Sequence, residues 1–286
     1  MNNLCNLCPN NCNVNRENGV GFCGVNDKIK IAKYYLHPFE EPCISHKNGS
    51  GTIFFCGCSL KCVFCQNYEL SRNLRGKEIT VKELANIFKI LENEGADNIN
   101  LVTPTHYSTK IIEALSIYKP KIPVVYNTHG YENLEILQEL NNFVDIYLPD
   151  IKFYDKKIAK RYCEKENYFE YASKAIEFMA KKPLVFNKNG KMLSGTIVRH
   201  LVLPLNIADS KKILDWFVGI KDNAYLNLMS QYTPFGNIEK LKELNRKISK
   251  REYDSVINYA LSLGIEKMFY QQFESADKKY IPKWDY

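Results

Sequence analysis

No apolar run in the 286-residue sequence approaches transmembrane length, and neither an internal repeat nor a low-complexity tract is visible. The first absence argues against a membrane-spanning chain. The polar start, Met1-Asn2-Asn3-Leu4-Cys5-Asn6, lacks the charged and apolar regions of a secretory signal. There is no P-loop and no G-x-S-x-G turn, which removes the commonest phosphate-binding and serine-nucleophile motifs. Gly19-Val20-Gly21-Phe22-Cys23-Gly24 fits G-x-G-x-x-G in letters only. No strand-like segment precedes it and no helix-like one follows, so it reads as a flexible turn.

What is present fits a soluble enzyme. At 45% hydrophobic, the chain can bury the core of one large domain with a small appendage. The expected compartment is the cytoplasm, where ten cysteines are metal ligands or thiols rather than disulfides. The net charge of +7 is dispersed among interleaved acids, as in Lys247 to Arg251. That predicts no nucleic-acid surface, although a basic face can attract an acidic protein partner or reductant.

The most informative run is Phe55-Cys56-Gly57-Cys58-Ser59-Leu60-Lys61-Cys62-Val63-Phe64-Cys65-Gln66-Asn67, directly after a strand-like apolar segment. Cys58, Cys62 and Cys65 have the spacing C-x3-C-x-aromatic-C. One short loop can thereby place sulfurs on three corners of a [4Fe–4S] cube, with backbone N–H groups aimed at the sulfides. A cube needs four ligands, so one iron is left to bind a small molecule. Phe64 would shield such a cluster from water. A zinc triad completed from elsewhere, or disulfide partners, are the plainer readings.

A second group, Cys5-x2-Cys8-x3-Cys12-x10-Cys23, lies in residues 1–50 among Asn, Pro and Gly, without a long periodic segment. Four soft ligands can close a tetrahedral zinc site or fully ligate a second [4Fe–4S] cluster, and so few apolar residues need such a staple. Unligated structural thiols are the third option. We therefore expect a cysteine-rich metal-binding lobe at 1–50 and a catalytic domain at 51–286.

From Thr52 onward, β-rich runs alternate with amphipathic stretches, the pattern of repeated βα units. Strands are expected near 52–56, 98–102, 122–127, 144–148, 196–203 and 224–229, with a short apolar run at 265–270. Helices fit 108–118, 132–141, 155–182 with a break, 209–219 and 251–263. Another begins after Thr80, where Glu83 completes a capping box ahead of Leu84, Ala85, Ile87, Phe88 and Leu91. Six such units make an α/β partial (βα)6 TIM-like barrel rather than a full eight-fold one. Its chemistry belongs at the carboxyl ends of the strands, where the cysteine loop, Asn127-Thr128, Asp150-Ile151-Lys152 and Arg199-His200 can converge.

The cysteine loop resembles the cluster motif of the radical S-adenosylmethionine superfamily. The run from Gly51-Thr52-Ile53-Phe54-Phe55 to Gln66-Asn67 is similar to the branch related to pyruvate formate-lyase activating enzymes. Segments 98–106, 124–131, 145–152 and 198–204 extend the likeness over nearly the whole chain. It implies a 5′-deoxyadenosyl radical, made by one-electron cleavage of S-adenosylmethionine, that abstracts hydrogen from a substrate. In the activating enzymes that substrate is a backbone glycine of a glycyl-radical protein. The electron comes from a donor such as flavodoxin or ferredoxin.

The resemblance also implies residue roles. Lys152 and Arg199 match positions that hold the carboxylate of S-adenosylmethionine; a strand-end salt bridge to Asp145 or Asp150 is the alternative. Asp150, Asn127 and Thr128 resemble a monovalent-cation site, from which Asn127 departs in replacing an aspartate. Relatives carry Gly-Gly-Glu after the second strand to take the cofactor's amine; here that place reads Thr103-Pro104-Thr105-His106, without a carboxylate, and Thr103 becomes the expected acceptor. His106 and His129 are either substrate contacts or satisfied structural residues. Cys56 either approaches the cluster or is a buried strand thiol. Ser230 to Pro234 are expected to line the substrate cavity. Three functions stay open: activation of a glycyl-radical protein, radical modification of a small molecule or peptide, and a non-enzymatic iron–sulfur or zinc protein in electron transfer or scaffolding.

Overall fold

Ser50–Phe55, the strand that leads into the cysteine loop, is buried along its full length, as a strand covered on both faces must be. This computed structural model describes residues 4–45, 48–235, 238 and 241–270; the end of the expected 51–286 domain lies outside them. The elements in chain order are β1 (Ile29–His37), β2 (Ser50–Phe55), α1 (Tyr68–Ser71), β3 (Lys77–Ile79), α2 (Val81–Asn93), β4 (Ile99–Val102), α3 (Ser108–Ile117) and β5 (Val124–Thr128). There follow α4 (Leu134–Leu140), β6 (Ile146–Pro149), α5 (Lys156–Cys163), α6 (Tyr168–Met179), β7 (Val185–Phe186) and β8 (Met192–Leu201). The described chain closes with α7 (Ile207–Phe217), β9 (Tyr225–Met229), α8 (Lys250–Ser262) and β10 (Met268–Tyr270).

Strands β2, β4, β5, β6, β8, β9 and β10 run parallel in that order, each reached from the one before through at least one helix. This is the expected α/β partial barrel. Among the described residues no pairing joins β10 to the opposite edge, so the barrel is open. The capping box at the head of α2 forms, with Thr80 Oγ1 accepting from the Glu83 N–H at 3.2 Å and Glu83 Oε2 accepting from the Thr80 N–H at 2.7 Å. The apolar stripe of α2 packs beside Ile53, Ile99 and Leu101.

One expectation needs correction. Residues 1–50 do contain a strand, since β1 pairs antiparallel with both β2 and β3 and extends the sheet. The alternation of buried Ile29 and Ile31 around Lys30 was its signal. The loop from Pro38 to Ser45 then crosses the amino-terminal end of the barrel. Ile44 is fully buried with Val125, Ile146, Leu148 and Ile197. Backbone bonds from Met192 N to Cys43 O, and the Asn98 side-chain bond to Ile44 O, hold this plug in place.

Candidate radical-chemistry site

Above the plug, at the carboxyl ends of the strands, is a cavity of about 660 Å³. Cys58, Cys62, Phe64, Cys65, Thr103, Asn127, Thr128, Asp150, Lys152 and Arg199 all line it. Strand alternation explains the convergence. Asn127 and Arg199 fall on inward positions of β5 and β8, while the cysteines, Asp150 and Lys152 occupy loops leaving β2 and β6.

The cysteine loop is held from several sides. Gly57, at φ +86°, turns the chain out of β2 where an added Cβ would meet the Cys23 carbonyl at 2.9 Å. The Val63 N–H donates to Tyr162 O at 2.9 Å. Phe64 is 8% exposed and packs edge-on against Phe153, Tyr162 and Tyr232, closing the loop's inner side to water. Leu60 N–H points at Cys58 Sγ over 3.4 Å, the backbone-to-sulfur geometry expected around a cluster.

The thiols sense one another. Burial, then the charges of Cys62 and Cys65, push Cys58 up. Burial pushes Cys62 up to about 11 against the pull of Lys152. Two neighbouring thiols that both resist ionisation, Cys58 and Cys62, favour a site that gains positive charge, which bound iron would supply. Among the described residues no three His, Cys, Asp or Glu side chains stand ready around a single metal ion. Three cysteines lining one cavity from one loop, with the Leu60 N–H on Cys58 Sγ, are a donor set that fits a cluster.

Asp150 organises the cations. Its Oδ2 accepts from Lys152 Nζ at 2.6 Å and its Oδ1 from Arg199 Nε at 2.9 Å. Burial opposes ionisation, but Arg199 and Lys152 outweigh it and hold the carboxyl at about 2. Against the cost of their own burial, Asp150 raises Lys152 and Arg199. The salt bridge to Asp150 thus exists; Asp145 instead accepts from the Val124 N–H. Lys152 and Arg199 retain donors beyond those given to Asp150, so the pairing does not remove their capacity for an anion. The monovalent-cation arrangement fares differently. Asn127 Oδ1 accepts from Arg199 Nη2 at 2.6 Å and Thr128 Oγ1 donates to Glu132. A third cation beside Asp150 would meet two fixed ones.

Thr103 ends β4 at φ +59°, a left-handed conformation that a β-branched residue rarely adopts. The strain turns the chain at the cavity wall. His129 lines the cavity and is a tie: it takes the Tyr131 N–H on Nδ1 at 3.1 Å, which leaves Nε2–H for Ser59 Oγ at 2.7 Å. His106 lies behind the wall with Nε2 on Cys56 O at 2.7 Å. Burial takes both imidazoles down to about 3, so they are neutral. Cys56 is a buried thiol that donates to Arg75 O. Tyr232, expected in the cavity, is instead core, its hydroxyl on Leu244 O, while Gln231 beside it does line the cavity.

The amino-terminal cysteines sit against this site. The Cys58 N–H donates to Cys23 O at 3.3 Å and Asn10 Nδ2 to Ser59 O at 2.8 Å. Cys12 and Cys23 sulfurs both flank Gly21, and burial raises Cys23 and Cys8, each in the field of other cysteines of the group. Arg16, 7% exposed, clamps the lobe to the barrel through the carbonyls of Asn26 and His106.

Sequence reasoning missed three acids. Glu132 is 1% exposed, accepts from Thr105 Oγ1 at 2.6 Å and from Thr128, and burial raises it to about 7. Glu40 and Glu41 reach into the barrel from the plug, where Asn100 Nδ2 donates to Glu40 at 2.8 Å and Asn227 Nδ2 to Glu41 at 2.9 Å. Their only sequence signal is an acidic pair between Pro38 and Pro42, since their partners lie far along the chain.

Such a site, a cysteine triad and paired cations at the mouth of an open parallel barrel, defines a partial-barrel protein built for cluster chemistry. Residues 52–217 match the Radical SAM superfamily, more than half of the chain. The uncharacterized protein MJ0674 of Methanocaldococcus jannaschii is 32% identical over 275 residues, covering 93% of this chain and 76% of the relative. The chain belongs to the radical SAM superfamily, which implies a [4Fe–4S] cluster and S-adenosylmethionine. Two solved structures share the fold. SuiB of Streptococcus suis bound to S-adenosylmethionine aligns at a TM-score of 0.52 and 13% identity, over 78% of this chain and 50% of its own. Methylornithine synthase (PylB) aligns at 0.50 and 16%, over 74% and 60%. The chain thus spans about half the length of SuiB. Among the described residues, no helix is long and apolar enough to cross a membrane.

Proposed function

We propose that the chain is a cytoplasmic radical enzyme that cleaves S-adenosylmethionine reductively and uses the product to abstract hydrogen from a substrate held inside the barrel. The observation that carries this is the shared cavity of Cys58, Cys62, Cys65, Lys152 and Arg199. Cys58, Cys62 and Cys65 hold the cluster, and Lys152 and Arg199 take the cofactor's carboxylate. Thr103 accepts from its amine through hydroxyl or carbonyl, in place of the absent Gly-Gly-Glu. Asn127 and Asp150 orient the two cations, Thr128 holds the Asp150 backbone through its carbonyl, and Phe64 keeps water out. When bound, the cluster and S-adenosylmethionine supply the electron and the 5′-deoxyadenosyl radical.

Cys5, Cys8, Cys12 and Cys23 ligate a second [4Fe–4S] cluster rather than zinc in this reading, because the Cys23–Cys58 backbone contact adjoins the two groups. That offers an electron entry point to an acidic donor such as flavodoxin or ferredoxin. Anaerobic incubation of the reconstituted chain with dithionite and S-adenosylmethionine should release 5′-deoxyadenosine and methionine. A loaded cluster without either product would leave a non-enzymatic iron–sulfur protein. About eight irons per chain supports two clusters, and about four supports one with zinc or free thiols in the lobe. Activation of a glycyl-radical protein is the second reading, favoured by the resemblance across residues 51–67. Its test is an electron paramagnetic resonance doublet on a partner that forms only with this chain present.

A further inference from the structure

Among the described residues, Arg16 is a buried cation that no carboxylate pairs with. It gives N–H groups to His106 O at 2.5 Å and to Asn26 O, and lies 5.7 Å from the centre of the Tyr107 ring. Neutral carbonyls and a ring do not cancel its charge, and a buried charge is costly unless an opposite one answers it. The group within reach that can become an anion is the amino-terminal cysteines. Arg16's partner His106 packs against Cys23: a Cβ on Gly57 would meet Cys23 O at 2.9 Å and His106 Nε2 at 3.1 Å. Burial raises the Cys23 thiol, and the Arg16 charge opposes it. Two further cations reach the group from outside. Lys61 and Lys165 stand 4.3 and 3.6 Å from the centre of the Phe22 ring, and the Phe22 N–H donates to Cys12 Sγ at 3.2 Å. Burial lowers Lys165, and the charges of Cys8 and Cys12 are among those that pull it back. The acids nearby do not cancel three cations. Glu164, 4.0 Å from Lys61, is exposed, and Glu132, which acts on Cys8, is raised by burial to about 7.

We propose that Arg16 is the counter-charge of an anionic iron–sulfur centre on Cys5, Cys8, Cys12 and Cys23, and that it sets the reduction potential of that centre. Thiolate charge exceeds that of the [4Fe–4S] core, so the centre is an anion and an electron gained makes it more negative. A cation fixed nearby, away from solvent, favours the reduced form and raises the potential. Zinc on four thiolates is an anion too, but it has no redox couple for Arg16 to shift. This assignment rests on reading the lobe as a second cluster. It makes Arg16 part of the electron path rather than only a clamp between lobe and barrel.

Reductive titration of the anaerobically reconstituted full chain, followed by electron paramagnetic resonance, reads the midpoint potentials. Cys58→Ala, Cys62→Ala and Cys65→Ala together leave the lobe signal alone and so assign it. Arg16→Gln should lower the lobe potential by about 59 mV or more, a tenfold fall in the ratio of reduced to oxidised centre. Arg16→Lys, which keeps the charge, should recover at least about half of that fall, and Lys82→Gln, exposed on α2, should change nothing. Should Arg16→Gln fail to assemble the centre, Lys165→Gln should lower the same ratio by about threefold. A lobe potential that these variants leave unmoved, or a fall that Arg16→Lys does not recover, overturns the proposal. So does a reconstituted parent with about four irons per chain, with zinc or free thiols in the lobe. Release of 5′-deoxyadenosine by such a parent leaves the radical reading standing. The shifted potential in a chain that releases none removes the radical reading alone.

Discussion

Asp150→Asn tests the charge arrangement at the barrel mouth. The Asp150, Lys152 and Arg199 side chains are 19%, 20% and 15% exposed, so solvent screens them little. In the folded chain Asp150 is held at about 2, below the ordinary aspartate value near 3.9. Between those values the unfolded chain binds the extra proton, so this contribution to stability is complete above about pH 4 and lost as pH falls toward 2. A shift of that size is worth about 2.6 kcal/mol. The substitution costs more, because it leaves Lys152 and Arg199 buried without their counter-charge, a loss of about 3 kcal/mol or more. For a chain of this length each kcal/mol lowers the melting temperature by about 2–4 °C, giving a drop of about 6–12 °C at pH 7. Thermal unfolding of the apo chain by circular dichroism measures it. A drop under about 2 °C, or a gap between variant and parent that does not narrow on acidification from pH 5 to pH 2.5, would refute the reasoning.

Other outcomes follow from the same geometry. Replacing Cys58, Cys62 or Cys65 singly with Ala should remove about four irons per chain and abolish 5′-deoxyadenosine release, read by iron assay and chromatography. Thr103→Gly relieves the left-handed strain and should raise the melting temperature by about 2–4 °C, for about 1 kcal/mol, while weakening S-adenosylmethionine binding if the hydroxyl holds the amine. Glu132 is raised by burial to about 7, so the folded chain holds its proton longer than the unfolded one. Its stabilising effect is full below about pH 4.3 and is lost as pH rises through 7, by about 4 kcal/mol in all; urea titrations of parent and Glu132→Gln across pH 5 to 8 should show most of that loss in the parent alone.

Much of this was readable in the sequence because it depends on neighbours. The spacing of Cys58, Cys62 and Cys65 is a property of one loop, and the capping box of Thr80 and Glu83 belongs to one turn. The helix boundaries fell within a few residues of their periodic patterns, since amphipathic stripes are local. Strand β1 escaped for a related reason: nine residues with partial alternation, ending in exposed and half-buried positions, do not announce a strand without β2 and β3 alongside.

What the sequence determined by itself is the cluster chemistry and the repeated βα order, because ligand spacing and hydrophobic period are written over a few residues. Only the tertiary structure decided which groups share a cavity. Asp150 binding both Lys152 and Arg199, Cys23 lying against Cys58, and Glu40 and Glu41 entering from the plug to meet Asn100 and Asn227 all join distant parts of the chain. Such pairings are set by how the strands register and where the barrel is plugged, and no spacing along the chain encodes them.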